Sequence, residues 1–413
     1  MRLTGTMLLI VLTVSCAAQG ADWPQFLGPT RDGISSETGL ATTWPAEGLK
    51  PVWTVPLGPG FGGAAVSNGK VYLMDRVGDQ SDVLRCVDLA KGNKLWDFQF
   101  EAPGKVDKPG SRSTPTVDGK NIYIVGIMGD IYCINADTHE KVWNRNLKEF
   151  GTKRPNWAFT QSAVVYKDMV IVAPQSDTAG VVALDKKTGK DIWASAAIGK
   201  IGYCSPQIVR FDGMDQVVML TTDTCAGLDP KDGKVLWEYK GWKCGIPVPD
   251  PTVIGDGRLF ITAAYNAGCA MIKVSREGDA WKVTQLQKNR NCESHIHHAL
   301  LYQNHLYANS DSDQGNNKGV ICMDLDTKVL WAQKGLTNKG GSLILADGMI
   351  YLMNGTNGTL YLIKPDPEGF KQLAQAKVLE GTEGSVWAPL VLSDGKLLCR
   401  DQKEMKCLDV RGK

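Results

Sequence analysis

Apolar and polar residues alternate in short runs along most of this chain, and the runs come in sets of four. In one set they are residues 114–117, 121–125, 131–134 and 141–143, separated by Asp118-Gly119, Gly129-Asp130 and a turn over 137–140. Period-two alternation bounded by such turns predicts antiparallel hairpins. No long stretch carries the 3.6-residue period of a helix, so helix content is expected to be very low.

The sets repeat. A segment of the form apolar-x-Asp, then Gly-Lys, then x-x-Trp ends at Trp96, Trp143, Trp193, Trp237 and Trp331. Trp281 falls in step with them, which makes the intervals 44 to 50 residues. A second marker, a residue just before an apolar run, recurs at Ala65, Pro115, Ala163, Pro206, Pro251, Ala299, Ser342 and Pro389, so there are eight units. Four-strand units of this length are propeller blades. Each Trp belongs to a fourth, outer strand and is expected to pack over the next blade, where the Gly-Lys turn permits close approach. The last unit lacks its Trp strand, and Lys50-Pro51-Val52-Trp53 matches the missing piece. Joining both ends in one blade would leave no open sheet edge. The expectation is an all-β chain: one eight-bladed β-propeller of four-stranded antiparallel blades over residues 50–413, preceded by an extension over 22–49. WD and kelch blades fit less well, because Trp96-Asp97 is not repeated and paired second-strand glycines are missing.

Residues 1–21 carry a cation at Arg2, an apolar stretch over 7–14 and the small residues Ala17, Ala18, Gly20 and Ala21. That order is a signal peptide, and it implies export to the periplasm or beyond. A lipid anchor at Cys16 is a minority alternative, since Thr13 stands where Leu is wanted. No other run is long enough for a membrane helix. Lys+Arg 46 against Asp+Glu 44 leaves no basic excess for nucleic acid. The eleven cysteines include no C-x-x-C pair, so neither a zinc ribbon nor covalent c-type haem is expected. Cys86, Cys133, Cys322 and Cys407 share one third-strand position and read as core residues; Cys399 and Cys407 flank a hairpin and are a possible cross-strand pair.

Residues 183–193, ALDKKTGKDIW, closely match the tryptophan-docking motif of quinoprotein alcohol dehydrogenases. The chain resembles exported bacterial propellers with pyrroloquinoline quinone (PQQ)-like repeats, including the opening at 23–35, the stretch 44–53 and the end at 389–410. The resemblance spans residues 22–410 and implies the fold. In the dehydrogenases it further implies a quinone stacked between a Trp and a disulfide of adjacent cysteines, with Ca²⁺ held by Glu, Asn and Asp. This sequence has no Cys-Cys pair, and no such calcium set maps onto it. The resemblance therefore leaves the cofactor unknown. Relatives such as the outer-membrane assembly lipoproteins carry the repeat without a quinone.

Residues just before each inner strand face one mouth of a propeller channel. They are Gly62-Gly63, Arg112-Ser113, Trp157 with Thr160, Tyr203-Cys204, Asp250, His297-His298, Gly341-Ser342 and Trp387. Of these, Arg112, Trp157, Tyr203, Asp250, His297, His298 and Trp387 are the candidate ligand-binding residues. Aromatic walls with a few convergent polar groups suit a small molecule or a sugar. The alternative is that these groups satisfy one another and ordered water. Cys204, Cys244, Cys292, His295 and His297 are metal candidates, because imidazole with thiolate suits zinc or copper. The segment 311–317 fails the calcium-loop order and reads as a solvated hairpin. No G-x-S-x-G, P-loop or H-E-x-x-H motif is present. The sequence favours a non-catalytic scaffold that binds a protein partner, an extracellular glycan or a small molecule at the mouth. A PQQ- or metal-dependent oxidoreductase and an outer-membrane assembly factor are the alternatives.

Overall fold

The computed structural model describes residues 21–412, apart from 109, 313–316, 338–339 and 382–385. Residues 1–20, which carry Cys16 and most of the expected signal peptide, lie outside the described residues. Eight four-stranded antiparallel sheets are arranged as a propeller. The inner strands of blades 1 to 8 are Ala64–Ser67, Thr116–Asp118, Val164–Tyr166, Gln207–Phe211, Thr252–Gly255, Leu300–Tyr302, Leu343–Ala346 and Val391–Ser393. Among the described residues the one helical element is a 3₁₀ turn, Leu147–Phe150. The hairpins between first and second strands use the anticipated chemistry. Asn68-Gly69, Asp212-Gly213, Asp256-Gly257, Asp347-Gly348 and Asp394-Gly395 all have positive φ at both positions, the geometry of a type I′ turn.

Closure follows the sequence. Pro51–Pro56 pairs antiparallel with Glu404–Asp409 as the outer strand of blade 8. Trp53 lies opposite Cys407 there, as Trp96, Trp143 and Trp331 lie opposite Cys86, Cys133 and Cys322. In all eight blades the outer strand slips register by one residue just before this position. Such a bulge sharpens the local twist. The extra residue turns outward, which accounts for the exposure of Val52, Leu95, Val142, Ile192 and Leu330 on the rim. The Trp beside it turns toward the next blade.

Docking couples ring packing to a hydrogen bond. The indole N–H groups of Trp53, Trp143, Trp193 and Trp331 donate to the carbonyls of Leu89, Lys186, Pro230 and Asp366 at 2.8–3.1 Å. Each acceptor lies just past the third strand of the following blade. A Cβ on Gly92, Gly189 or Gly233 would come within 2.5–2.7 Å of the docked ring, so those turns must be glycine. Trp96 instead stacks on His139 at 4.6 Å, and Trp237 donates to its own blade's Gln216.

Trp281 departs from expectation. It sits beside the hairpin tip of blade 5, opposite Arg276, and Gln287 holds the docking position opposite Met271. The third and outer strands of this blade are ten residues each, so the interval to Trp281 matched while its register did not. Cys399 and Cys407 also do not face each other: Cys399 pairs with Lys406 and Cys407 with Leu398. All ten described cysteines are free and buried.

Residues 22–35 cross the channel. Trp23 exchanges backbone hydrogen bonds with Val66 of blade 1, and the Pro24 carbonyl accepts from Val117 of blade 2. Ile34–Ser35 then adds in parallel to the inner strand of blade 7. Between these anchors Arg31 reaches the Pro206 carbonyl of blade 4, and the Asp32 carbonyl accepts from His298 of blade 6.

The docking account predicts that Trp143→Ala, which removes a buried ring and its hydrogen bond, costs about 3 kcal/mol or more, read as a lower thermal midpoint. Trp281→Ala should stay within about 0.5 kcal/mol of wild type. Equal losses from both would show that the outer Trp residues act alike.

Candidate functional site

The inner strands are tied to one another near the mouth. The Gly63 N–H donates to Thr114 Oγ1, Thr114 N–H to Ser162 Oγ, Ser162 N–H to Ser205 Oγ, and Ser205 N–H to Asp250 Oδ1, at 2.8–3.1 Å. Each link passes from one blade to the next. The acceptors stand two residues before their inner strands. Blades 2, 3 and 4 place a hydroxyl there, blade 5 places Asp250, and blade 6 places His298. These two exceptions are the residues that meet Arg31 and Asp32 of the crossing segment.

Above this ring opens a cavity of about 910 Å³. Arg112, Trp157, Tyr203, Asp250, His297 and Trp387 line it, so the structure gathers six of the seven expected binding residues. His298 is not among the lining groups; its Nε2–H donates to the Asp32 carbonyl at 2.9 Å. Sequence reading missed Phe26, Phe61, Lys108, Tyr265, Asp311 and Lys318, which also line the cavity. Phe26 comes from the crossing segment, which therefore forms part of the floor. Asp311 and Lys318 bracket the blade 6 loop and face the cavity, where a solvated hairpin had been expected.

The aromatic wall is continuous around Trp387. Its ring meets Phe61 at 5.6 Å and the edge of His295 at 5.5 Å, and the Lys108 ammonium lies 4.4 Å from its centroid. Arg112 stacks over Phe61 at 5.1 Å while donating to the Asp107 and Lys108 carbonyls. Burial lowers the Arg112 pKa to about 10. Tyr265 is 54% exposed and holds positive φ in its turn, a conformation a bulky side chain rarely adopts. Its hydroxyl is 2.6 Å from His295 Nε2. His297 Nε2–H donates to the Trp387 carbonyl at 3.0 Å, and burial pushes its pKa down to about 3, which keeps it neutral.

Asp250 carries the main electrostatic anomaly. It is 5% exposed, and burial raises its pKa to about 7. Arg31 Nη2 stands 3.8 Å from Asp250 Oδ2 and pulls the other way, yet burial also lowers the Arg31 pKa. The desolvation of both groups outweighs their attraction, as expected for a buried pair at this separation. Asp250 Oδ2, Arg31 Nε and Arg31 Nη1 have no hydrogen-bond partner within the chain.

The candidate metal ligands Cys204, Cys244, Cys292, His295 and His297 do not come together as a set. The Cys204 thiol donates to the Pro249 carbonyl, Cys244 accepts from the Ile246 N–H, and Cys292 lies against Thr262 and Ser294. Burial raises all three thiols, against the thiolate a metal needs. Among the described residues no group of three His, Cys, Asp or Glu is placed to hold a metal ion. A calcium-bound quinone does not fit this lining either. Its described carboxylates are Asp250 and Asp311 alone, and none of the described cysteines are adjacent in sequence.

A family model described as outer membrane protein assembly factor BamB matches residues 79–315. A quinoprotein ethanol dehydrogenase of Pseudomonas putida is 26% identical over 225 residues, covering 50% of this chain and 33% of that protein. A polyvinylalcohol dehydrogenase of Sphingopyxis sp. (strain 113P3) is 26% identical over 180 residues, covering 38% and 25%. The chain thus spans a third or less of the length of these curated relatives. Among solved structures, quinohemoprotein alcohol dehydrogenase from Comamonas testosteroni superposes with a TM-score of 0.65 at 12% identity, over 95% of this chain and 81% of that one. BamB from Moraxella catarrhalis superposes with a TM-score of 0.61 at 16% identity, over 87% and 97%. At these identities the likeness is one of fold.

The buried titratable groups oppose each other in their effect on stability. Asp250, raised to about 7, stabilises the fold fully below the unfolded carboxyl pKa of roughly 4, and that stability is lost as pH rises toward 7. His297, lowered to about 3, does the reverse: its contribution is present above roughly 6.5 and is lost on acidification. Asp250→Asn should therefore gain stability relative to wild type as pH rises from 4 to 7, by up to about 1.4 kcal/mol per pH unit. Urea midpoints of both proteins across that range measure it, and parallel curves would contradict the buried carboxyl.

Proposed function

Since the chain belongs to the repeat family described as outer membrane protein assembly factor BamB, within the quinoprotein alcohol dehydrogenase-like propellers, we propose that it is an exported binding scaffold. Its funnel mouth takes up a small molecule or the end of a glycan and does no chemistry on it. The observation that supports this most is the 910 Å³ cavity, with Trp157, Tyr203, Tyr265 and Trp387 around a buried polar floor. Its volume lies in the range of ligand sites, and its mix of aromatic wall and few polar groups is the one such sites use. Export rests on the N-terminal sequence. No described helix is long and apolar enough to cross a membrane.

A second reading places a protein partner at the same mouth. The family model supports it, as does the BamB structure, 97% of whose length is matched. Exposed Tyr265 and Lys108 would then meet a side chain from the partner. The dehydrogenase reading is weaker, because the described lining residues include neither a cysteine pair nor a set of cation ligands.

Titration of the mature protein with a glycan and metabolite panel, followed by tryptophan fluorescence, should give saturable binding. Trp157→Ala should weaken it at least tenfold, about 1.4 kcal/mol. PQQ with Ca²⁺ should give no saturable change. Saturable quinone binding that is lost in Trp157→Ala would replace this reading with the dehydrogenase.

A further inference from the structure

We propose that Asp250 is the ligand-recognising acceptor at the floor of the funnel, that it takes a hydroxyl of a neutral polyhydroxylated ligand such as a sugar, and that Arg31 of the crossing segment is its positioning residue. This rests on the reading of the mouth as a binding site. Three observations carry it. Asp250 fills the ring position where the preceding blades have Thr114, Ser162 and Ser205, so a carboxylate is not needed to tie the blades together. One oxygen makes the ring bond to the Ser205 N–H at 2.8 Å; the other is buried, has no hydrogen-bond partner in the chain and only the ion-pair approach of Arg31, and belongs to a residue that lines the cavity. A buried polar atom without a partner is costly and calls for an explanation.

Charge selects the ligand class. Arg31 Nη2 at 3.8 Å balances the carboxylate, so the floor is close to neutral and an ammonium gains little there. An anion would meet Asp250 directly. A neutral hydroxyl can donate to Oδ2 without bringing charge into a buried site, and a sugar also presents an apolar face to the ring of Trp157 or Trp387. The other titratable or charged groups around Asp250 are Cys204 behind it and, elsewhere in the lining, Lys108, Arg112, Lys318, Tyr203, Tyr265, His295, His297 and Asp311. His297 stays neutral above about pH 3.

Arg31 acts through Asp250. Burial pushes that carboxyl up to about 7 against the pull of the guanidinium. A charged acceptor makes the stronger hydrogen bond. Affinity should therefore fall on acidification through about pH 7. Removing the Arg31 charge should move that midpoint to higher pH.

The test is calorimetric titration with cellobiose, maltose and N,N′-diacetylchitobiose, alongside the amine-bearing dimer of glucosamine and a glucuronate disaccharide. Wild type should bind a neutral disaccharide and prefer it to both charged ones. Asp250→Ser keeps the ring bond used by the neighbouring blades and removes the spare acceptor; it should not lower the thermal midpoint and should lose at least tenfold in affinity. Arg31→Gln should shift the pH midpoint of binding upward, which a merely structural role would not do. Unchanged affinity in Asp250→Ser, or preference for a charged disaccharide, overturns the proposal and leaves the binding reading standing. Loss of binding in Trp157→Ala with no effect of Asp250→Ser has the same meaning. If wild type binds none of these sugars but binds another ligand of the broader panel, this proposal fails alone; if it binds nothing at all, the reading it rests on fails too.

Discussion

Backbone N–H groups that reach sideways to the next blade organise the interior of this propeller. A four-stranded blade satisfies its own ladder but leaves N–H groups at the start of its inner strand, where the chain arrives from the rim. Side-chain oxygens of Thr114, Ser162, Ser205 and Asp250 accept them in turn, which fixes adjacent blades at the channel. The docked tryptophans do the same at the periphery. The two sets of contacts hold each blade at its inner and outer ends, and the mouth between them is preorganised.

The ring also explains where chemistry resides. A serine in the ring spends its oxygen on the neighbour. An aspartate has a second oxygen, and His298 uses its Nε2–H on the Asp32 carbonyl instead. The two blades with these exceptions are the ones that meet Arg31 and Asp32, between the anchors of residues 22–35 on blades 1, 2 and 7. The crossing segment is thus keyed to the propeller at the floor of the cavity, and it contributes Phe26 to the lining.

The blades were legible because their turn chemistry and their Trp positions are local and repeat. The eight units and the closing strand at Trp53 follow from that periodicity. The error at Trp281 came from counting interval without register in a blade with long outer strands. Much of the candidate site was legible too, since residues before inner strands must face the mouth; Arg112, Trp157, Tyr203, Asp250, His297 and Trp387 all do. Tyr265, Asp311 and Lys318 were missed because they lie on or at the ends of the connections between second and third strands, which also point to the mouth. Aligning the positions two residues before each inner strand would have singled out Asp250. Nothing local in 22–35 signals that Arg31 pairs with a residue more than 200 positions away, so the floor was not legible.

The most direct check of a binding funnel is a crystal structure of the mature protein soaked with a neutral disaccharide. The account predicts density for a sugar ring in the cavity between Trp157 and Trp387, with a hydroxyl within hydrogen-bond distance of Asp250 Oδ2. Well-ordered sugar bound only on the outer rim, with the cavity holding none, would contradict it.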